Sequence, residues 1–394
     1  MARKVLTLNQ ISVKGLERLP RDAYEIASEF SSPDAILLRS HQLKAEEIAA
    51  SVLAIGRAGA GVNNIPVAEC SRRGIPVFNS PGANANAVKE LVATAMLLGS
   101  RGIIEGIRYV DTLAGLKDKA EMNRILEAQK KQFKGNELVG KTLGVVGLGA
   151  IGSMVAEMAL TMGMEVVGYD PALSVEAAWR LSSKVRKADT LSALFARSDY
   201  ISLHLPVLDS TRGLVNAELL GAMKPDACLL NFARQEIVNE QDLTAALDGC
   251  KLRKYIADFP SPALIGRNNV ILMPHIGAST DEAEDNCAIM VADQLRDFLE
   301  NGNIRNSVNF PTLELERVRG CRLSVSNDNV PRILGSVLAI LADENINVID
   351  MLNKSRGELA YNLIDIDTHV RDEILDAMRA LDGVINVRLI GDCS

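Results

Sequence analysis

The sequence predicts an α/β chain: two doubly wound parallel-sheet domains, then a C-terminal ferredoxin-like βαββαβ sandwich. Three observations carry this. Short β-branched runs alternate with helical stretches through most of the chain, the pattern of parallel βαβ units. A glycine-rich turn, GVVGLGAIG (144–152), joins an apolar run to a helical one. From Cys321 onward the rhythm changes to strand, helix, two strands, helix, strand.

The 394 residues are too many for one small core, so two or three domains are expected. Hydrophobic residues make up 47% and charged residues 24%, an ordinary globular mix. The formal net charge is −7 and no Lys/Arg tract stands out, so neither nucleic acid nor an anionic membrane is an expected partner. MARKVLTLNQ lacks the apolar run of a secretory signal, and no window is apolar enough to span a bilayer. A cytoplasmic protein is the expectation. The six cysteines are scattered without zinc-type spacing, so they are expected as reduced, mostly buried thiols, with no metal.

Along the chain, AILLRS (35–40), VLAIGRAG (52–59) and IPVFNS (75–80) read as strands or strand ends, with AEEIAA and VAECSRRG as helical pieces between them. A long apolar helix is expected from Ala85 to about residue 101, and a polar helical connection over 102–137. A second α/β block follows, with strands near 142–147, 164–169, 199–203, 227–231, 254–258 and 270–273. Another long helix starts at Asp281, and NGNIRNSVNFPTLELERVRG is a linker by its Gly, Pro and Asn content. In the tail, RLSVSN, INVIDMLNKSR, ELAYNLIDID and VINVRLI are strands; VPRILGSVLAILADEN and RDEILDAMRALDG are helices.

GLGAIG fits G-x-G-x-x-G. It follows the strand TLGVV, opens the helix SMVAEMALTMG, and Asp170 ends the next strand, MEVVGYD, 18 residues after Gly152. Strand, glycines, helix and terminal acid together are the fingerprint of a Rossmann-like dinucleotide site. Gly147 permits the tight turn, Gly149 lets a pyrophosphate approach the backbone, and Gly152 lets helix and sheet pack closely. The helix N-terminus offers free N–H groups and about +0.5 of an elementary charge. Asp170 would accept from a ribose diol and repel a 2′-phosphate, so NAD is expected over NADP.

Ligands of open α/β sheets bind beyond the carboxyl ends of the strands. LLNFARQEIVNEQDL places Arg234 just past a strand; YIADFPSP does the same for Asp258, and VILMPHIGAST for His275. With GRAGAGVNNIPVAECSRRGIPVFNSPGANANAVKE (56–90), ELVGKTLGVVGLGAIG and DYISLHLPVLDSTRGLVN (199–216), these stretches make the chain resemble the D-isomer-specific 2-hydroxyacid dehydrogenases over nearly its whole length.

The resemblance implies a substrate domain of residues 1–94 and 283–308, an NAD domain of 95–282, and a homodimer or homotetramer. It implies oxidation of a secondary alcohol beside a carboxylate, with His275 as general base and Arg234 as the fork for the carboxylate. It further implies cofactor contacts at Ala150, Ile151, His204, Phe232, Ala233, Asp258, Gly277 and Ala278, and substrate contacts at Gly59 and Ala60. Arg39 and Arg57 lie at strand ends of the first domain, where a phosphorylated 2-hydroxy acid would need extra cations. The expected substrate is 3-phosphoglycerate. The alternatives are another D-2-hydroxy acid (2-hydroxyglutarate, glycerate, or glyoxylate in reduction) and, more remotely, an NADH-sensing corepressor without turnover. Two departures stand out: ADFPSPAL lacks the family's Glu that orients the histidine, and ARQ replaces Arg-Gly.

The tail, 319–394, resembles the ACT domains, small-ligand regulatory modules. That resemblance implies L-serine as an effector, with Asn327, Asn329 and Asn347 at the matching positions. Pro331 is followed here by Arg332 instead of glycine.

Overall fold

The computed structural model describes residues 2–318 and 320–391, the side chain of Glu176 excepted. It divides into two units, Met1–Asn84 with Thr280–Ser394, and Ala85–Ser279.

In the first unit β1 (Arg3–Leu8), β2 (Tyr24–Ala27), β3 (Ala35–Leu38), β4 (Ala54–Arg57) and β5 (Val77–Phe78) form a parallel sheet in the order β2-β1-β3-β4-β5. β3 reads AILL and is buried at every position, as a strand covered on both faces must be. The sequence reading leaves β1 and β2 unmarked. RKVLTL opens on two cations and YEIA carries an acid, so neither shows the unbroken apolar run of β3. Their place comes from pairing, β2 on β1 and β1 on β3.

The helix Asp281–Asn301 packs on β4, burying Cys287, Ala288, Val291, Leu295 and Phe298 along one face. Gly56 in β4 makes the approach feasible, since a Cβ there would stand 2.7 Å from Val291. Thr280 caps this helix by accepting from the Ala283 N–H (3.1 Å), and Asp281, Glu282 and Glu284 oppose its N-terminal dipole. Gly302, at φ 73°, ends it.

The C-terminal module belongs to the same unit. β13 (Cys321–Asp328), β14 (Val348–Arg356), β15 (Leu359–Ile366) and β16 (Val384–Ile390) form an antiparallel sheet, β14-β15-β13-β16, with helices Ile333–Asp343 and Asp372–Arg379. Leu323, Val325, Ile364 and Val387 share a core with these helices. Alternate residues Tyr361 and Leu363 instead enter the core of the first sheet, with Phe298 and Phe310. The Tyr361 hydroxyl donates to the Gly302 carbonyl (2.8 Å). Arg322, with 0% exposure, pairs both oxygens of Asp365 (2.6 and 2.8 Å) and donates to the carbonyls of Asn301, Leu315 and Glu316. All five guanidinium donors are thereby used.

Cys70, Cys228, Cys250 and Cys287 are free. Cys321 is disulfide-bonded, which corrects the expectation of six reduced thiols; Cys393 lies outside the described residues. Pairing depends on which segments the fold brings within bonding reach, and scattered spacing does not reveal that.

The second unit holds β6 (Thr142–Val146), β7 (Glu165–Tyr169), β8 (Arg186–Lys187), β9 (Tyr200–Leu203), β10 (Cys228–Asn231), β11 (Lys254–Ala257) and β12 (Val270–Leu272). All are parallel, in the order β12-β11-β10-β9-β6-β7-β8. The order reverses at β6, between β9 and β7, the position where doubly wound sheets bind nucleotides. The helix Ala85–Ser100 buries Val88, Val92, Ala95 and Met96, while Leu97 stays 40% exposed. The expected polar connection is two helices, Ile103–Asp111 and Lys119–Gln129, and it leaves Ile107 and Val110 exposed. No helix among the described residues is long and apolar enough to cross a membrane.

Candidate active site

The glycine turn between β6 and the helix Ala150–Thr161 needs each glycine for a different reason. Gly147 sits at φ 88°, and a Cβ on it would press on the His204 carbonyl (2.5 Å). A Cβ at Gly152 would overlap the Gly147 carbonyl oxygen. A Cβ at Gly149 would meet no protein atom within 4 Å. Protein packing therefore explains two of the glycines and not the third. Gly149 is the N-cap of that helix and supplies no side-chain cap, so the first amides, from Ala150 and Ile151 onward, are not capped by a side chain.

Asp170 follows β7. Its Oδ2 accepts from the Leu148 N–H (2.8 Å) and its Oδ1 from the Ala172 N–H (3.0 Å). Both oxygens keep lone pairs for a diol. The Leu148 amide ties the acid to the glycine turn, a contact the sequence did not reveal. His204 follows β9. Burial pushes its pKa down to about 3, so the ring is neutral; Nε2 meets Ser202 Oγ (2.9 Å) and Nδ1 is buried without a partner among the described residues. These features fit a dinucleotide: open helix amides, a space a Cβ could occupy, an acid for a diol, and an orphaned ring nitrogen.

Arg234, Asp258 and His275 follow β10, β11 and β12, three neighbouring strands. Arg234 donates from Nη1 to the Ala233 carbonyl (2.7 Å), and no carboxylate among the described residues pairs with it. Its turn is built by Asn231, with 0% exposure. Asn231 Nδ2 donates to the Arg234 carbonyl (2.9 Å) and Tyr255 Oη (3.2 Å), and its Oδ1 accepts from the Ala233 N–H (3.2 Å). Asn231 was not foreseen; an asparagine ending an apolar strand, LLN, is its only sequence signal. Phe232 and Ala233 are nearly buried, and Phe232 packs in the core of this unit.

The Asp258 carboxylate, 2% exposed, accepts from the N–H groups of Ile276 (2.8 Å) and Gly277 (2.6 Å). It thereby holds the loop that carries His275, while Gly277 is buried and Ala278 half-buried. His275 itself is exposed, at φ 58°, a left-handed conformation uncommon for a side-chain-bearing residue. Its ring lies 4.8 Å from that of Phe259 at a tilt of 56°. Phe259, too, was missed by the sequence reading.

The first-unit candidates are engaged locally. Arg39 forms an ion pair with Glu284 (2.6 Å), and Arg57 Nε donates to the Arg39 carbonyl (3.1 Å). The Ala60 carbonyl accepts from Asn79 Nδ2 (2.6 Å), and the Gly59 carbonyl from the Ser80 N–H (3.1 Å). In the module, Asn327 accepts from Asn362 (2.8 Å) and donates to the Asp328 carbonyl, and Asn329 donates to the Gly357 carbonyl (3.1 Å). Asn347 precedes the opposite end of β14, so the three asparagines do not converge within one chain. Arg332 is left-handed at φ 81°, the conformation a glycine would take easily.

The family model for the D-isomer specific 2-hydroxyacid dehydrogenase, NAD binding domain, matches residues 103–277. The D-3-phosphoglycerate dehydrogenase of Haemophilus influenzae is 32% identical over 94% of this chain and 89% of its own length. That of Synechocystis sp. is 37% identical over 79% of this chain, which spans only 56% of that relative's length. Among solved structures, the NAD+-bound 3-phosphoglycerate dehydrogenase of Entamoeba histolytica superposes with a TM-score of 0.62 at 27% identity, covering 79% of this chain and 100% of that one.

Proposed function

Because the chain belongs to the D-isomer-specific 2-hydroxyacid dehydrogenases, we propose that it oxidises D-3-phosphoglycerate to 3-phosphohydroxypyruvate with NAD, the first committed step toward L-serine. The observation that carries this reading is the placement of Arg234, Asp258 and His275 on three neighbouring strand ends of the sheet that bears the glycine turn.

Bound NAD would supply the hydride acceptor. The amides at Ala150 and Ile151 and the space at Gly149 would receive its pyrophosphate, and Asp170 its ribose diol; the same carboxylate would disfavour a 2′-phosphate. Arg234 holds the substrate carboxylate with its planar, permanently charged fork. His275 removes the proton of the 2-hydroxyl as the hydride leaves, and returns it in the reverse direction. Positioned proton transfer of this kind contributes typically ~10²–10⁴-fold. Asp258 serves the base by clamping its loop. Arg39 and Arg57 are the proposed anchors for the substrate's phosphate, with Gly59 and Ala60 beside them.

The chain is proposed to assemble as a homodimer or homotetramer through the second unit, where the exposed Ile107 and Val110 call for cover. L-Serine is the proposed effector of the C-terminal module, with Asn327, Asn329 and Asn347 as its candidate contacts.

The decisive experiment compares kcat/KM on 3-phosphoglycerate, D-glycerate and D-2-hydroxyglutarate with NAD. Strong preference for the phosphorylated acid is expected; equal values defeat the phosphate assignment. A serine titration that leaves initial rates flat into the millimolar range removes the effector.

A further inference from the structure

An imidazole on an exposed loop rotates about two bonds, and a base works only in the narrow range of orientations that meets the substrate hydroxyl. Something must restrict the ring. No carboxylate of the second unit, among the described residues, forms an ion pair with it. Asp258, which holds the loop that carries the ring, directs both oxygens at the Ile276 and Gly277 amides.

What does meet the ring is Phe259, at 4.8 Å between centroids and tilted by 56°. Tilted aromatic pairs at this separation are a favoured arrangement, because the positive edge of one ring faces the negative face of the other. We infer that Phe259 is the positioning residue of the His275 imidazole, and that Asp258 and Phe259 divide the work of presenting it. The inference rests on the reading of His275 as the base.

The division follows from the chain. Asp258 and Phe259 are consecutive and leave the end of β11 together. The first fixes the backbone of the neighbouring loop, in which His275 takes its left-handed conformation; the second meets the side chain that this conformation throws out. An aromatic face restrains the ring by shape and leaves its nitrogens to substrate and water. A carboxylate partner would instead occupy one of them.

The test uses the full-length enzyme. Ring-proton NMR signals of its four histidines are recorded for the wild type and for Phe259→Leu, Phe259→Tyr and Phe259→Trp, with His275→Gln identifying the relevant signal. Phe259→Leu is expected to move the His275 signal by removing the ring current, and to lower kcat ~10–100-fold while KM for NAD is unchanged. Phe259→Tyr is expected to restore both signal and kcat. Phe259→Trp carries a stronger ring current and must also move the signal, so a leucine variant that fails to fold does not decide the matter. A His275 signal unmoved by leucine or tryptophan overturns the proposal, as does an unchanged kcat in the folded leucine variant. If the wild type turns over no 2-hydroxy acid, the functional reading fails separately, and the ring signal alone decides the contact.

Discussion

Asp258 and Gly277 are joined by a 2.6 Å hydrogen bond from the Gly277 N–H to Asp258 Oδ2, at a carboxylate only 2% exposed. A Cβ at Gly277 would stand 2.9 Å from that oxygen. The strand end after β11 and the loop after β12 are thus fastened at a point where only glycine fits without displacement. Asp258→Ala removes a charged acceptor from two buried or half-buried amides. A loss of about 1.5–3 kcal/mol per bond of this class is expected. Thermal unfolding should show the loss, and kcat should fall with it; an enzyme with unchanged kcat would mean that the loop does not need the clamp.

His275→Ala should lower turnover by at least ~100-fold while NADH binding is largely retained. Steady-state rates and cofactor fluorescence measure the two quantities separately. Unaltered turnover would refute the assigned base.

The glycines separate fold from ligand. Gly149→Ala meets no protein atom and has φ −68°, so its melting temperature should stay near wild type while NADH affinity drops. Gly152→Ala collides with the Gly147 backbone and should destabilise the unit itself. If both variants behave alike in melting and in binding, the ligand explanation of Gly149 is wrong.

His204 makes stability depend on pH. Burial holds its folded pKa at about 3, below the ordinary value of 6.5 that the unfolded chain regains. Between these values the unfolded state binds more protons, so stability falls as pH drops from 6.5 toward about 3 and this contribution then levels off. The difference amounts to about 3 kcal/mol by pH 4. Melting curves of His204→Asn should lose part of this acid slope; an identical slope would show that other groups carry it.

Arg322→Leu leaves Asp365 as an unpaired charge against the carbonyls of Asn301, Leu315 and Glu316. Breaking such a pair costs about 3–5 kcal/mol. Because Tyr361 and Leu363 share the core of Phe298 and Phe310, the whole first unit should lose stability, and not the module alone. Chemical unfolding followed by near-ultraviolet dichroism would register it. Unchanged stability would mean that the module rides on the unit without bracing it.

The places of β6, β7 and β9–β12 along the chain, the glycine turn and the strand-end positions of Asp170, Arg234 and His275 were legible in the sequence. Their causes are local. A glycine with a fixed spacing to a strand and a helix, or an apolar run of four or five residues, states its steric requirement within a few positions. The βαββαβ order of the tail was legible for the same reason. β1 and β2 were not, because their membership depends on pairing with β3 and not on their own composition.

Only the tertiary structure decided which partner each side chain has. Asp258 could be placed at a strand end from the sequence, but its engagement with the Ile276 and Gly277 amides needed β11 and β12 side by side. Phe259 was indistinguishable from a core phenylalanine until the His275 loop came to lie against it. Arg322 read as one charge at the start of a strand, and it is the buried fastener of a module to a helix that ends 21 residues earlier. Periodicity and sterics act between neighbours in the chain. Hydrogen bonds, ring contacts and ion pairs act between neighbours in space, and folding alone determines who those are.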